Sequence, residues 1–354
     1  MTLRNKAIQP YIFEGRIREF EEQLIKFSLE IGKQRGQNPT ITKILTYLLI
    51  HEQLTQKQLR YLTNCSIGSI STHLAALISI GFVEKKLIPG THTNIYSLKF
   101  DLGQNISSLM KISMDYIDQA RKFLKSKKKE LNKIFEKKKN KQKLILERFE
   151  ELEYVIYLYI HLFEQIIASE ELDFNIEIRS EKKLDDLQEF DNDIKKIEKD
   201  IIEFFTYTPM FFGKSEIFSK TFAYFITRGI LNQKQLRELT GLSAGKISQE
   251  INTLLELGII EITDTSETGQ ITYQMKSVIL AFLQVSFNVL SEYMKWKTKL
   301  ESINADLDKQ KDNLRKLHGY NEIRKVINIY LNIMPFYEKI FNVILEIRKK
   351  LVNL

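Results

Sequence analysis

The sequence predicts a mainly α protein with small β-hairpins, built as two tandem copies of one unit. Three observations carry this: a gapless internal repeat, apolar seams at helical spacing around it, and short helices followed by paired extended runs. Of 354 residues, 43% are hydrophobic and 28% charged, with only 14 Gly and 5 Pro. That balance excludes collagen-like and mainly disordered classes, and the length suits two domains of ordinary size.

The repeat comes first because it sets the register for everything else. Gln56, Lys57, Gln58, Leu59 and Arg60 fall on Gln233, Lys234, Gln235, Leu236 and Arg237. Roughly 17 of the 46 positions from Leu54 to Lys99 are identical at a shift of about 177 residues, half the chain. Upstream, Phe13, Ile17, Phe20, Leu24 and Phe27 alternate spacings of four and three, and the same shift lands them on Phe190, Ile194, Ile197, Ile201 and Phe204. Such a stripe marks a helix that buries one narrow face against another helix. A second seam recurs near the end of each half: Phe149, Leu152, Ile156, Tyr159, Phe163 and Ile166 against Tyr320, Ile323, Ile327, Tyr330, Met334 and Tyr337. Packing within one half and packing between halves both satisfy the pattern. Pro335 predicts a break in the last helix, because proline removes a backbone donor and clashes with the preceding turn.

Between the seams, residues 41–52 read as an apolar helix, 55–63 as a short helix opened by Thr55, and 67–80 as a third helix capped by Ser66. The third helix turns Ile70, Leu74, Leu77 and Ile78 to one face and Gly68, Ser69, Thr72, His73 and Ala76 outward, and Gly81 ends it. Two extended runs follow, joined by a turn at Pro89 and Gly90. The second half repeats the order over 218–228, 232–240 and 243–257, with Gly258 and a turn at Gly269. Three helices and a hairpin predict a winged helix-turn-helix. The fold class expected is therefore two tandem winged helix-turn-helix domains, each flanked by long association helices. Residues 1–177 hold association helix 11–32, winged helix 40–100 and long helices 104–170. Residues 178–354 hold association helix 183–205, winged helix 217–276 and long helices 278–352.

The run from Ser66 through the hairpin, preceded by an association helix with Gly32 and Gly36 near its end, resembles the GbsR-like branch of the MarR superfamily of transcriptional regulators. The resemblance covers roughly 17–170 and, more loosely, 194–350. It implies a regulator that binds double-stranded DNA, with terminal helices pairing two reading heads, here on one polypeptide. Family-like wings carry a basic residue just past the Pro-Gly turn. This chain has Thr91, His92 and Thr93 there, and the second wing is acidic at Asp264 and Glu267.

In such a fold the third helix enters the major groove, where each base pair shows a distinguishable edge. The candidates on the first third helix are Ser66, Gly68, Ser69, Ser71, Thr72 and His73. Those on the second are Ser243, Gly245, Lys246, Ser248, Gln249 and Glu250. Gln249 suits adenine and Glu250 the cytosine amine, whereas Ser66 and Ser243 suit helix capping better than base contact. Gln56, Lys57, Arg60, Gln233, Lys234 and Arg237 lie on the helix expected to cross the phosphate backbone, and Lys85, Lys86, Thr91 and His92 lie on the first wing. Two heads about 34 Å apart would read adjacent half-sites.

Charge separates the heads. Residues 41–99 carry about six Lys/Arg against two acids and 217–276 about six against six, so the first head is expected to bind DNA better. The net charge of +8 is concentrated between Arg121 and Arg148, which hold about 13 Lys/Arg against about 3 acids. Its basic run, 125–143, reads as a solvated helical tip or as a second phosphate-binding surface.

Other classes find little support. The single cysteine, Cys65, forms no internal disulfide, and the histidines at 51, 73, 92, 161 and 318 lack metal-ligand spacing. Phosphate-binding Gly-rich loops, G-x-S-x-G and H-E-x-x-H are absent, so neither an enzyme nor a cofactor is expected. No secretory signal or apolar run of membrane-spanning length occurs, which predicts a soluble cytoplasmic protein without a membrane partner. A small-molecule effector is one further expectation, with Phe204, Phe205, Tyr207, Phe211 and Phe212 as the place to look. The working form is expected to be a pseudo-dimeric monomer or a homodimer. The alternative function is a tandem winged-helix scaffold that binds protein and reads no bases.

Overall fold

The computed structural model describes residues 11–99, 106–138, 144–168, 190–207, 215–265 and 271–352. The first half runs α1 (Gly15–Gln34), α2 (Pro39–His51), β1 (Gln53–Thr55), α3 (Gln56–Thr63), α4 (Ile67–Ser79), β2 (Val83–Leu87), β3 (Asn94–Leu98), α5 (Ile106–Lys138) and α6 (Leu144–Ala168). The second runs α7 (Asn192–Tyr207), α8 (Glu216–Arg228), β4 (Ile230–Asn232), α9 (Gln233–Thr240), α10 (Ala244–Glu256), β5 (Glu261–Thr265), β6 (Ile271–Gln274), α11 (Val278–Lys309), α12 (Lys311–Leu314) and α13 (Tyr320–Val352). The chain is mainly helical with two three-stranded antiparallel sheets, ordered β1-β3-β2 and β4-β6-β5. We call α2 to β3 the first module and α8 to β6 the second.

Local chemistry explains the module boundaries. Asn38 caps α2 through Thr40 N and Ile41 N, with Pro39 at the position where its missing N–H costs nothing. Thr55 and Gln58 close a capping box on α3, and Asn232 with Gln235 closes the same box on α9. Gly81 and Gly258 take φ of 76° and 68°, ending α4 and α10. The strands β1 and β4 are an addition to the expected three helices and a hairpin. Each is three residues long, and its pairing with β3 or β6 arises only when the hairpin folds back, which local pattern does not carry.

Two compact units form, and they do not coincide with the halves of the repeat. One comprises Met1–Leu109 with Glu292–Tyr337, the other Met110–Ser291 with Glu338–Leu354. Each contains one module and long helices belonging to the other half.

In the first unit the α1 seam is buried at Phe13, Ile17, Phe20, Leu24 and Phe27, none more than 2% exposed. Besides α2 of its own half, where Phe13 stacks on His51 at 4.5 Å, it has partners from the second half. The Phe27 ring lies 5.5 Å from Tyr293, 5.3 Å from Trp296 and 4.8 Å from Tyr330, and the Trp296 indole N–H donates to Glu30 at 2.5 Å. Arg16 bonds Asp306 at 2.7 Å. A Cβ on Gly319, which has φ of +93°, would lie 2.5 Å from the Phe13 ring.

In the second unit, α5 and α6 supply the corresponding cover. Phe123 stacks on Phe204 at 4.2 Å, and Lys127 pairs with Asp200 at 2.7 Å. Buried Arg148 donates to the carbonyls of Met275 at 2.6 Å and Lys276 at 3.1 Å, while Glu151 accepts from Val278 N at 2.7 Å. Each seam therefore packs within its own half, α1 on α2 and α7 on α8, and between halves as well.

A buried carboxylate recurs in both units at repeat-equivalent positions. Glu198 takes two bonds from Arg228, at 2.8 and 2.7 Å, and one from the Thr227 hydroxyl at 2.8 Å. Glu21 is held by Arg18 and by His51 Nε2 at 2.6 Å. The same network pushes the Tyr47 phenol up to about 12, by burial first and by the Glu21 charge second. The expected break at Pro335 does not occur: α13 runs through it, with Pro335 exposed and Met334 buried beside it. Tertiary burial along the helix outweighs a cost of about 3 kcal/mol for an interior proline.

Two substitutions test this packing by chemical denaturation. Glu198→Gln leaves the Arg228 guanidinium without its counter-charge and is expected to cost about 3–5 kcal/mol. Gly319→Ala meets both a positive φ and the Phe13 ring, with an expected loss of about 2 kcal/mol or more; a loss under about 0.5 kcal/mol would place Phe13 elsewhere.

Candidate nucleic-acid interface

Each module turns its third helix outward along the stretch the sequence singled out. On α4, Ile70, Leu74 and Leu77 are buried while Ser66, Gly68, Ser71 and Thr72 are exposed and Ser69 and His73 half-buried. On α10, Ile247, Ile251 and Leu254 are buried while Ser243, Gly245, Lys246 and Gln249 are exposed and Ser248 and Glu250 half-buried. No Cβ neighbour lies within 4 Å of Gly68 or Gly245, so both helix starts face open space.

Hydrogen bonding divides these candidates. The Ser66 hydroxyl accepts from Ser69 N at 3.2 Å, as expected of a cap, whereas Ser243 holds the cap position without a side-chain bond. Gln56 reaches the Ile67 carbonyl at 3.4 Å and Gln233 the Tyr273 hydroxyl at 3.5 Å, so each tethers its module as well as facing out. Lys57, Arg60, Lys234, Arg237 and Lys246 are exposed and enter no ion pair among the described residues. On the first hairpin, Lys85 is exposed, Lys86 bonds Glu84 at 2.6 Å and His92 is exposed. Thr91 uses its hydroxyl on Ile88 O at 2.9 Å and accepts from Thr93 N at 3.1 Å, closing the tip. The tip of the second hairpin, with Glu267 and Gly269, lies outside the described residues, as does the side chain of Asp264.

Some surface features escaped the sequence reading. Asn252 is exposed one turn beyond Gln249, on the face of α10 that Gly245 opens, and the three-residue spacing was the available signal. Tyr61 at 62%, Ile67 at 50% and Leu87 at 60% exposure add apolar area around α3, α4 and β2. Nothing in the seam pattern separates such residues from core.

The basic run is partly neutralised. Lys127 pairs with Asp200 and Glu130, and Lys128 with Glu153 at 2.6 Å. Lys125, Lys129 and Lys133, four residues apart on α5, remain exposed; residues 139–143 lie outside the described part. In the aromatic cluster, Phe205 is buried, Phe204 packs against the core, Tyr207 is exposed and Phe211 and Phe212 are not described. Among the described residues no group of His, Cys, Asp and Glu could hold a metal ion, and no helix is long and apolar enough to cross a membrane.

Two titrating groups sit on the outward faces. Burial lowers the His73 pKa, which favours the neutral ring with one donor and one acceptor. Burial raises the Glu250 pKa, which favours the neutral acid. No protein-family model and no curated protein sequence matches this chain.

The Glu250 shift has a definite sign. Below the unfolded pKa both states are protonated and no penalty arises; as pH rises through the raised folded value, the half-buried carboxylate forms and stability is lost. Glu250→Gln removes this titration. Its melting temperature should match that of the parent near pH 4 and exceed it near pH 7.5; a constant difference across that range would dissociate Glu250 from the effect.

Proposed function

We propose that this protein binds double-stranded DNA sequence-specifically as a transcriptional regulator, through two winged helix-turn-helix modules fused in one chain as a pseudo-dimer. The observation that carries this reading is the polar, small-residue face opening α4 and α10, exposed in both modules and backed by a buried apolar face. The element order and the sheet orders β1-β3-β2 and β4-β6-β5 suit a winged helix-turn-helix, whose third helix lies in the major groove. Thr72, His73, Gln249, Lys246 and Asn252 would meet base edges, with Gln249 and Asn252 suited to adenine. Lys57, Arg60, Lys234 and Arg237 would neutralise phosphates and set register without reading sequence. Operation in the cytoplasm, without catalysis or a cofactor, belongs to the same reading, as does resemblance to the GbsR-like branch of the MarR superfamily.

A second reading is favoured by one observation. α4 carries no Lys or Arg, and exposed Tyr61, Ile67 and Leu87 surround it, a combination suited to a protein partner. A scaffold that binds through this surface would show no salt-dependent affinity for duplex DNA.

Fluorescence titration with genomic fragments at two salt concentrations separates the readings. Specific retention of particular fragments, weakening steeply with salt, is expected. Lys57→Glu with Arg60→Glu should cost about tenfold or more in affinity, and more than Lys234→Glu with Arg237→Glu, because the first module carries the larger net positive charge. Equal losses remove the asymmetry, and salt-insensitive or absent binding removes the DNA reading.

A further inference from the structure

The α5 helix carries a row of lysines that the fold does not use. Its buried side is set by Ile117, Ala120, Leu124 and Leu131, none more than 5% exposed. Two lysines are engaged in structure: Lys127 bonds Asp200 at 2.7 Å and Lys128 bonds Glu153 at 2.6 Å. Away from the buried side, Lys125, Lys129 and Lys133 are exposed and enter no ion pair or hydrogen bond among the described residues. Lys122 continues the row and shares Asp118 with Arg121, at 2.7 and 2.5 Å, and Glu136 ends it. Members four residues apart stand about 6 Å from each other along the helix axis. The repeat supplies an internal comparison. α11 buries Tyr293, Trp296, Leu300 and Leu307 with the spacing of the α5 seam, 176 positions further on. In that register Lys122, Lys125, Lys129 and Lys133 fall on Thr298, Glu301, Ala305 and Lys309, all exposed. Residues 121–133 hold seven Lys/Arg and one acid, whereas 297–309 hold three of each. The same helical position is thus built without the excess of cations, so packing does not require it.

We propose that this row is a second, sequence-independent contact for the phosphate backbone of duplex DNA, apart from the outward faces of α4 and α10. Lysine is a point charge on a flexible stem, so it meets a phosphate without demanding the planar geometry of a guanidinium fork. Two other partners fit the surface less well. A helix lying on a membrane needs an exposed apolar side, and no apolar residue of α5 is exposed among those described. A protein interface centres on aromatic and Arg anchors and is poor in Lys, the opposite of this row. Duplex DNA carries one charge per about 1.7 Å of axis, so a row about 12 Å long finds phosphates in whatever register it lands. Three such contacts add affinity that falls with salt, and they leave the choice among sequences to the third helices. For the identity of its partner the inference rests on the DNA-binding reading above.

Fluorescence anisotropy of the full chain with a random-sequence duplex, at a series of salt concentrations, tests it. Combining Lys125→Gln, Lys129→Gln and Lys133→Gln is expected to flatten the slope of log affinity against log salt by about 2–3 and to weaken binding about tenfold or more at physiological salt. The corresponding Arg triple, which keeps the charges, should hold the parent slope. Melting temperatures of all three proteins should agree, because exposed lysines without partners hold no structure. Preference for genomic fragments over the random duplex should change by less than about twofold. An unchanged slope in the Gln triple, or a lowered melting temperature that places these lysines in the fold, overturns the proposal and leaves fragment-specific binding to stand on the modules. A slope that flattens as expected while no fragment is preferred supports the row and removes the sequence-specific reading. Absence of duplex binding removes both. Binding to phosphatidylserine vesicles that the Gln triple loses, with duplex binding intact, overturns the proposal in favour of a membrane.

Discussion

The structure depends on narrow apolar seams that are completed by helices from the opposite half of the repeat. The α1 stripe ends on Phe27, whose ring meets Tyr293, Trp296 and Tyr330, all more than 260 positions away in the chain. The α7 stripe ends on Phe204, which stacks on Phe123. Each large side chain so buried is worth about 1.5–3 kcal/mol, and their number makes the exchange a condition of folding. Neither half of the duplication contains a full set of partners for its own seam within its own compact unit.

Polar groups make the exchange specific. Apolar stripes tolerate slippage, but a buried Arg148 aimed at two carbonyls of the second module, or an indole N–H aimed at Glu30, fits one arrangement. The repeat-equivalent carboxylates Glu21 and Glu198 do the same inside each unit, tying the association helix to the last turn of the first module helix. The duplication has diverged at the partner, His51 in one unit and Arg228 in the other, while keeping the buried acid. With α2 and α8 held in this way, α4 and α10 bury Ile70, Leu74, Leu77 and their counterparts, and their polar starts are left facing outward.

Much of the module was legible because its signals are local. The caps at Thr55, Ser66 and Asn232, the glycines ending α4 and α10 and the alternating hairpin runs all act within a few residues. The faces of α4 and α10 followed from helical periodicity. The strands β1 and β4 did not, since three residues carry no period and their partners are some 40 positions away. Pro335 misled for a related reason: its local penalty is real, but the long helix around it is held by burial that local rules do not contain. At the site, small polar residues were found by their type and Ser66 as a cap, whereas Thr91 as turn closure and Ser243 as a cap position without a side-chain bond appeared only with hydrogen-bond geometry.

By itself the sequence determined the duplication, the helical class, the order of elements within each module and which face of each third helix is apolar, because each depends on spacing along the chain. Tertiary structure alone decided which helices complete each seam and that a proline could sit inside a continuous helix. Those outcomes arise from contacts between residues hundreds of positions apart, where the free energy lies in complementary surfaces that no periodicity encodes.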